Sequence, residues 1–559
     1  MIEDQLVAWL SQGLAAAAPA LNIEGELPTP ELLAPKQKDH GDFASNVALA
    51  VATRAGKPPR EVAQAIADAL PPAAFVDKVE IAGPGFLNVF TTDTWLHDAL
   101  HEVIERGEAY GRAPSTGSRV QVEFVSANPT GPLHVGHARN AALGDALARL
   151  LEAAGETVER EYYFNDAGRQ MELFGASVVA RYLQALGLEA TMPEDGYHGA
   201  YLIDVVRDIV TEHGDAFAGV AEPARTQRLL AEGTRRILAG VERTLERFGV
   251  RFDVYFSEAE LERKGEITAA VERLRKADLA YDADGATWFR STAFGDDKDR
   301  VIVRSNGNHT YFAADCAYLI DKFSRGFDHL VYVWGADHHG DLARMKGAAT
   351  AMGLDPGAVE IVLYQFVSFL RGGEPVKMSK RAGTFISLDE LMDEVGADAA
   401  RFTLLSSSGD SAMSFDIEDV KRRSMDNPVY YVQYGHARIA SILRKAEADG
   451  VPLKPVADAD LSLLTHDAEL DLLRALADAP GQIALAAELR APHRITHAAH
   501  DLAARFHRFY TECKVIDLDA PERTQARLWL AAGTKQVVAN LLGILGVSAP
   551  ESMERAADG

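Results

Sequence analysis

Apolar and polar positions follow two rhythms along this chain, and the changes from one to the other mark out its elements. Val7, Leu10 and Leu14 recur at helical spacing, and 61–70 reads as a second helix that Pro71-Pro72 stops. Between 78 and 90 the period shortens to two around Gly83-Pro84-Gly85, which predicts strand, turn and strand. A helix over 94–107 and the Pro/Gly/Ser-rich GRAPSTGS (111–118) then link this small α/β module to a second domain.

Val120, Val122 and Phe124 alternate with polar residues as in a strand, and a turn comes next at Asn128-Pro129-Thr130-Gly131-Pro132. Leu143, Leu147, Leu150 and Leu151 then form a helical stripe that Gly155 ends, and 157–164 is the next strand. This is a βαβ unit. Residues 168–249 are largely helical and interrupt the pattern, as an insertion would. Strand-like runs return at 301–303, 329–333 and 359–366, and from Pro428 onward the chain is almost purely helical. The expected layout is a small N-terminal α/β domain (1–92), a linker (93–118), a Rossmann-type parallel-sheet domain (119–427) with a helical insertion at about 168–250, and an all-helical C-terminal bundle (428–559).

Length agrees with that division, since 559 residues suffice for three or four domains at roughly 150 residues each. The net charge of −25 excludes indiscriminate nucleic-acid coating and binding to anionic membranes, both of which need positive charge. Two cysteines, Cys316 and Cys513, form neither a disulfide framework nor a zinc set, which fits a reducing, cytoplasmic compartment. MIEDQLVAWLSQG has no basic stretch before its apolar run and does not read as a signal peptide. No uninterrupted run of eighteen apolar residues occurs, so no membrane partner is expected. Asn308-His309-Thr310 matches a glycosylation sequon, read as chance.

Neither G-x-x-x-x-G-K-[ST] nor a complete G-x-G-x-x-G occurs, so a nucleotide would have to be held otherwise. His134-Val135-Gly136-His137 stands where a turn meets a helix just after a strand. Its histidines share one helix face, at an end where free N–H groups and the helix dipole favour phosphate. Gly136 would let a flat base approach the backbone. Lys377-Met378-Ser379-Lys380-Arg381 puts three cations beside Gly383 and Thr384, as a loop clamping phosphates would. Taken singly, these are an ordinary helix start, or half a metal site, and a solvated basic loop. Their order overturns that: one opens a βαβ unit, the other stands some 240 residues later, and a helical C-terminus comes next.

The pair resembles the HIGH and KMSKS signatures of class I aminoacyl-tRNA synthetases. Further segments are similar to the arginyl-tRNA synthetase family: EFVSANPTGPLHVGHARN (123–140), YYFNDAGRQM (162–171), TYFAADCAY (310–318), GADHHG (335–340), GADAARF (396–402), DNPVYYVQYGHARI (426–439) and LLGILGVSAPESM (541–553). The signatures depart at Val135, where Ile is usual, and at Arg381, where the class has Ser. Some arginine enzymes carry a degraded second signature; here it is intact.

The resemblance implies a bacterial-type enzyme that ligates arginine to tRNA(Arg) through arginyl-adenylate, with Mg-ATP as substrate and no protein-held metal. His134, Gly136, His137, Lys377, Met378, Ser379 and Lys380 would bind ATP, with His134, His137, Lys377 and Lys380 stabilising the departing pyrophosphate. Arginine's planar, permanently charged guanidinium needs carboxylates and acceptors. By resemblance Tyr311 and Asp315 line its pocket, and Glu123 and Asn128 hold the α-amino end. Asp337 is a further acceptor with His338 beside it, although Asp337-His338-His339 also invites a metal reading. For tRNA, the resemblance implies that Phe86 and Asn88 meet an extruded base; they read equally as a core ring and a strand polar residue. Tyr431, Tyr434 and Arg438 fall on one helix face that could stack anticodon bases, with Met553 brought to it. A monomer is expected. The alternatives are another class I synthetase, a simple nucleotidylyltransferase and a non-catalytic tRNA-binding paralogue.

Counted locally, the charge no longer opposes RNA. Residues 371–381, 421–445 and 489–515 carry +3, +5 and +3, and the last has four histidines besides. Acidic surface elsewhere would restrict where tRNA docks.

Overall fold

The structure, a computed structural model, describes residues 2–33, 35, 40–376 and 386–554. It divides into two compact units, Met1–Tyr110 with Ile439–Asp478 and Ala504–Val537, and Gly111–Arg438 with Ala479–Ala503 and Val538–Gly559.

In the first unit, the helix Ile2–Ala17 buries Leu6, Trp9, Leu10 and Leu14 in a core shared with Leu87 and Val89. The core lies beside an antiparallel sheet ordered Leu32–Leu33, Phe43–Ser45, Phe86–Thr91, Val76–Ala82. The expected hairpin closes where Gly85 N donates to Ala82 O (3.1 Å). The expected helices also form, as Pro59–Asp68 and Thr94–Arg106.

The second unit is built on five parallel strands ordered Val359–Tyr364, His329–Gly335, Arg119–Glu123, Thr157–Phe164, Val254–Ser257. Strand order reverses between Arg119–Glu123 and His329–Gly335. At such a switch point the two loops leave in opposite directions and open a crevice at the carboxyl ends of the strands. The helix Ala138–Ala153 packs so closely there that a β-carbon on Gly144 would lie 2.2 Å from the Phe124 ring. The insertion is three helices, Arg169–Ala185, Ala200–His213 and Ala224–Arg247.

Two differences from the sequence-based expectation stand out. The 301–303 run is part of Arg300–Val303, which joins a separate antiparallel sheet with Ala280–Ala283 and Ala286–Phe289. Past Tyr364 the chain leaves the parallel sheet, and Val367–Arg371 pairs instead with Met413–Asp416 and Glu374–Pro375. The C-terminal helices are Pro428–Ala448, Asp467–Glu488, His493–Glu512 and Pro521–Leu545. The last is long and apolar enough to cross a membrane by length and composition, and 61% of its apolar window is buried inside the protein. Polar residues such as Arg527 and Lys535 interrupt its apolar run.

Candidate active site

The crevice begins with an unusual bend. Beyond Glu123 the backbone is left-handed at Val125 (φ 63) and Ser126 (φ 43), a conformation that costs a non-glycine residue about 1–2 kcal/mol. Side chains hold it in place. Val125 N donates to Asn140 Oδ1 (2.6 Å), whose Nδ2 donates to Val333 O (2.9 Å) across the switch point. Ser126 Oγ donates to Glu123 Oε1 and accepts from Tyr163 N, both at 3.2 Å. The next turn is tied down by Tyr162 Oη to Ala127 O (2.8 Å) and Tyr201 Oη to Thr130 O (2.6 Å). Within it, exposed Asn128 donates to Gln170 Oε1 (2.8 Å).

His134 caps the short helix Val135–His137 that leads into Ala138–Ala153. Gly136 N donates to His134 Nδ1 (3.1 Å), and His134 N donates to His137 Nδ1 (3.3 Å). An Nδ1 that accepts a hydrogen bond leaves the ring proton on Nε2, so each neutral imidazole is fixed as an Nε2–H donor. The rings lie 4.0 Å apart at 37°. Gly136 is required for this arrangement, because a β-carbon there would sit 2.7 Å from His134 Cε1. Buried Arg139 secures the helix start by donating to Gln365 O, Ser408 O and Ser411 O at 2.7–2.9 Å. Lys377, Met378, Ser379 and Lys380 lie outside the described residues. Just beyond that segment, Ile386 O accepts from Val135 N (3.0 Å) and Leu388 N donates to Leu133 O (2.9 Å), so the chain re-enters the described structure against the histidine turn.

Opposite in charge is the helix Tyr311–Ser324, capped by Thr310. Tyr311, Asp315, Tyr318 and Lys322 fall at i, i+4, i+7 and i+11, on one face. Tyr311 is 63% exposed at the open end and Lys322 is buried at the closed end. Burial pushes the Asp315 carboxyl up to about 7, with the negative charges of Glu258, Glu123 and Asp341 adding to it and Arg344 opposing. Burial also raises Glu258, which accepts from Tyr163 Oη at 2.6 Å. Glu123 is buried and accepts from Lys322 Nζ (2.6 Å). A cavity of 540 Å³ opens beside Tyr311, lined also by Glu258, Glu262, Arg169, Arg304 and His309. Asp337 is exposed just past the strand His329–Gly335, and His338 Nδ1 bonds Asp341 Oδ2 (3.0 Å).

The structure therefore brings Asp315 near Glu123, with Tyr311 one turn away on the same helix. Glu258, Tyr163, Lys322, Asn140 and Arg139 are not among the residues that sequence reasoning singles out. Lys322 is within its reach, by extending the Tyr311–Asp315 face two more turns. Glu258 has no local signal, because the insertion separates it from its neighbours.

Elsewhere, Phe86 is half-buried and Asn88 buried, two residues apart on a strand whose Leu87 and Val89 enter the core. On the helix Pro428–Ala448, Arg438 lies over the Tyr434 ring (5.7 Å), and Tyr434 stacks on Tyr430 (6.0 Å). Tyr431 instead stacks on His500 (4.9 Å). Met553 lines a 1060 Å³ cavity with Tyr430, Gln433, Lys421, Arg422 and Arg423.

A parallel sheet with a two-histidine helix start at its switch point has the architecture of class I aminoacyl-tRNA synthetases. The family model described as tRNA synthetases class I (R), catalytic domain, matches residues 99–416. Models for the arginyl tRNA synthetase N terminal domain and the DALR anticodon binding domain match 5–91 and 432–553. The chain is 48% identical to the arginine–tRNA ligase of Moorella thermoacetica, covering 98% of both chains. It is 45% identical to that of Bacillus subtilis, over 99% of this chain and 100% of the other. The Thermus thermophilus arginyl-tRNA synthetase structure shares the fold, with a TM-score of 0.74 at 24% identity over 98% of this chain and all of its own. The chain belongs to the arginyl-tRNA synthetase family.

Proposed function

We propose that this chain ligates L-arginine to tRNA(Arg) in two steps, with Mg-ATP as substrate. The observation that carries this is the opposite polarity of the two ends of one crevice. Fixed Nε2–H donors and a helix N-terminus face one end, and under-compensated carboxylates face the other. A reaction joining a polyanionic nucleotide to a cationic amino acid needs that polarity.

In the first step an arginine carboxylate oxygen attacks the α-phosphorus in line and pyrophosphate leaves. His134 and His137 donate to phosphate oxygens as charge develops, Gly136 admits the base, and the 377–380 segment neutralises the leaving group through Lys377 and Lys380, with Met378 and Ser379 between them. This is electrostatic positioning, with no covalent enzyme intermediate. Asp315 and Glu258 read the guanidinium, Tyr311 covers it, Glu123 and Asn128 hold the α-amino end, and Asp337 with His338 supplies further polar contacts. In the second step the 2′-hydroxyl of the terminal adenosine attacks the carbonyl carbon of the arginyl-adenylate, the bond to the phosphate breaks, and AMP leaves.

The N-terminal module over 1–92, with Phe86 and Asn88, and the helical region over 428–559, with Tyr431, Tyr434, Arg438 and Met553, would dock tRNA. The enzyme would act in the cytoplasm as a monomer. ATP–pyrophosphate exchange tests the reading. By the family resemblance arginine activation requires bound tRNA, so exchange is expected with arginine when tRNA is present, not when it is absent, and with no other amino acid. Exchange supported by a different amino acid would overturn it.

A further inference from the structure

Glu258 stands where the chain rejoins the parallel sheet after the insertion. The strands Thr157–Phe164 and Val254–Ser257 pair as far as Phe164 and Ser257, and the ladder ends there. One side chain carries the pairing further. Asp166, two residues past the first strand, accepts from Ser257 Oγ at 2.7 Å and from Ala259 N at 3.0 Å. Ser257 precedes the short helix Glu258–Arg263 in the position where a serine usually accepts from the backbone, yet its side chain makes no such bond. Its hydroxyl donates to Asp166 instead, and Asp166 caps the helix in its place. The residues on both sides of Glu258 are therefore bonded to one carboxylate. The tip of Glu258 is held separately, by Tyr163 Oη at Oε2 (2.6 Å). The Tyr163 ring packs against those of Tyr318 (4.8 Å) and Phe256 (6.3 Å). Burial, and then the charge of Glu258, push its phenol well above the ordinary range, so it stays a donor. Asn165, Ala167 and Gly168, on either side of Asp166, line the 540 Å³ cavity with Glu258 and Tyr311. Asp166 itself turns the other way, to the helix.

We propose that Asp166 is a positioning residue for arginine that acts through Glu258, fixing the backbone on both sides of that glutamate so that its carboxylate meets the guanidinium in plane. This rests on the arginine reading above. A carboxylate and a guanidinium gain most when two parallel hydrogen bonds form between them, which sets the angle as well as the distance. Val254–Ser257 is the last strand of its sheet, with one neighbour to hold it. Without Asp166 the residues just past that strand lose their tie, and Tyr163 alone holds the carboxylate. Arginine then meets an acceptor of the right charge at the wrong angle. Binding suffers, and the chemistry at the phosphate end does not. The role also gives the YYFNDAGRQM segment (162–171) a physical content, since its Tyr163 and Asp166 hold one distant glutamate by its tip and by its base.

Arginine-dependent pyrophosphate exchange with tRNA present tests this. Asp166→Ala is expected to raise KM for arginine about tenfold, with kcat and KM for ATP within about threefold of the parent. Ser257 is then free to cap its own helix, so the variant should fold, as circular dichroism and melting temperature will show. Asp166→Asn keeps the geometry without the charge, because its amide oxygen can accept from Ala259 N and its amide nitrogen can donate to Ser257 Oγ. Its KM for arginine should stay within about threefold of wild type. In a Glu258→Gln background Asp166→Ala should add less than about threefold to KM, because the carboxylate it positions is already gone. If Asp166→Ala does not fold, Asp166→Glu replaces it: the charge remains, the added methylene spoils both bonds, and the same rise is expected. The proposal falls if Asp166→Asn is as impaired as Asp166→Ala, which would mean that the charge of Asp166 acts on arginine directly. It falls equally if the folded Ala or Glu variant keeps a wild-type KM for arginine, if kcat and KM for ATP change as much as KM for arginine does, or if the effects of the Asp166 and Glu258 substitutions multiply in full. Wild-type protein that fails to exchange with arginine in the presence of tRNA overturns the functional reading instead.

Discussion

The two ends of the crevice are made in different ways. At the histidine end, four consecutive residues order themselves: two rings accept from backbone N–H groups within the same turn, and one glycine makes room for them. At the carboxylate end, Glu123, Tyr163, Glu258 and Asp315 come from four separate segments, and burial, with the negative charge gathered there adding to it, pushes the Asp315 carboxyl up to about 7. The first end is built to give hydrogen bonds and can be complete before any ligand arrives. The second is electrically unfinished, and a cation would complete it.

The largest expected effect is at the unfinished end. Asp315→Asn should lower arginine-dependent exchange by about 10³-fold or more, because a site built around a charged acceptor discriminates strongly when that acceptor is lost. The same change should raise thermal stability at pH 8. The sign comes from the elevated carboxyl: the folded chain holds this proton more tightly than the unfolded chain does, so stability from this group is present at low pH. It is lost as pH rises from the ordinary carboxylate range through about 7. Melting temperatures of the variant and the parent should therefore converge near pH 4 and separate above pH 7, with the variant higher. A variant less stable at pH 8 would mean that the carboxylates are not in mutual strain.

Next comes the finished end. In Gly136→Ala the new methyl group would lie 2.7 Å from His134 Cε1 and 2.8 Å from Nδ1. The ring must turn, and it then gives up the bond that fixes its tautomer. Loss of one oriented donor predicts a drop in the rate of exchange of about 10²-fold. KM for arginine should stay within about threefold, since the acceptors are untouched. A variant that changes KM for arginine and spares kcat would show that the two ends are not independent.

That contrast also explains how much can be read in the sequence. The histidine turn is legible because its chemistry and geometry lie within one stretch, after a strand and before a helix. The parallel strands 119–123, 157–164 and 329–335 are legible for the same reason, as short periodic runs between turn residues. The Ala280–Ala283 and Ala286–Phe289 hairpin goes unseen although its signal is present: Asp284-Gly285, both at positive φ, make the tight turn that Asp-Gly favours. Four-residue strands are too short for periodicity to reveal. Glu258 and Tyr163 are not legible at all, because 95 residues separate them and only the fold makes their 2.6 Å contact. Likewise, the left-handed bend at Val125 runs against the preference of a β-branched residue, so the sequence points away from it.

A smaller effect separates the two ends by pH alone. Arginine binding requires Asp315 ionised, and its carboxyl titrates at about 7 in the free protein. Protons and arginine then compete, and KM for arginine should rise about tenfold as pH falls from 8 to 6. KM for ATP, measured in the same series, should not follow that curve. A parallel rise in both would assign the titration to something shared by the two ends.

The smallest effect concerns the bend that joins them. Val125→Gly removes left-handed strain worth about 1–2 kcal/mol, but it also removes a buried side chain of comparable value and adds about 1 kcal/mol of backbone entropy to the unfolded chain. These contributions nearly offset, and the melting temperature should fall by only a degree or two. Both hydrogen bonds that define the bend survive the change, since Val125 N still reaches Asn140 Oδ1 and Ser126 Oγ still bridges Glu123 and Tyr163 N. If those bonds set the spacing between the two ends, exchange should change by less than about threefold and neither KM should move. If the strain itself sets the spacing, relaxing it would let the ends drift apart. The rate would then fall about tenfold or more with both substrates still binding normally, because misaligned reactants lose rate before they lose affinity.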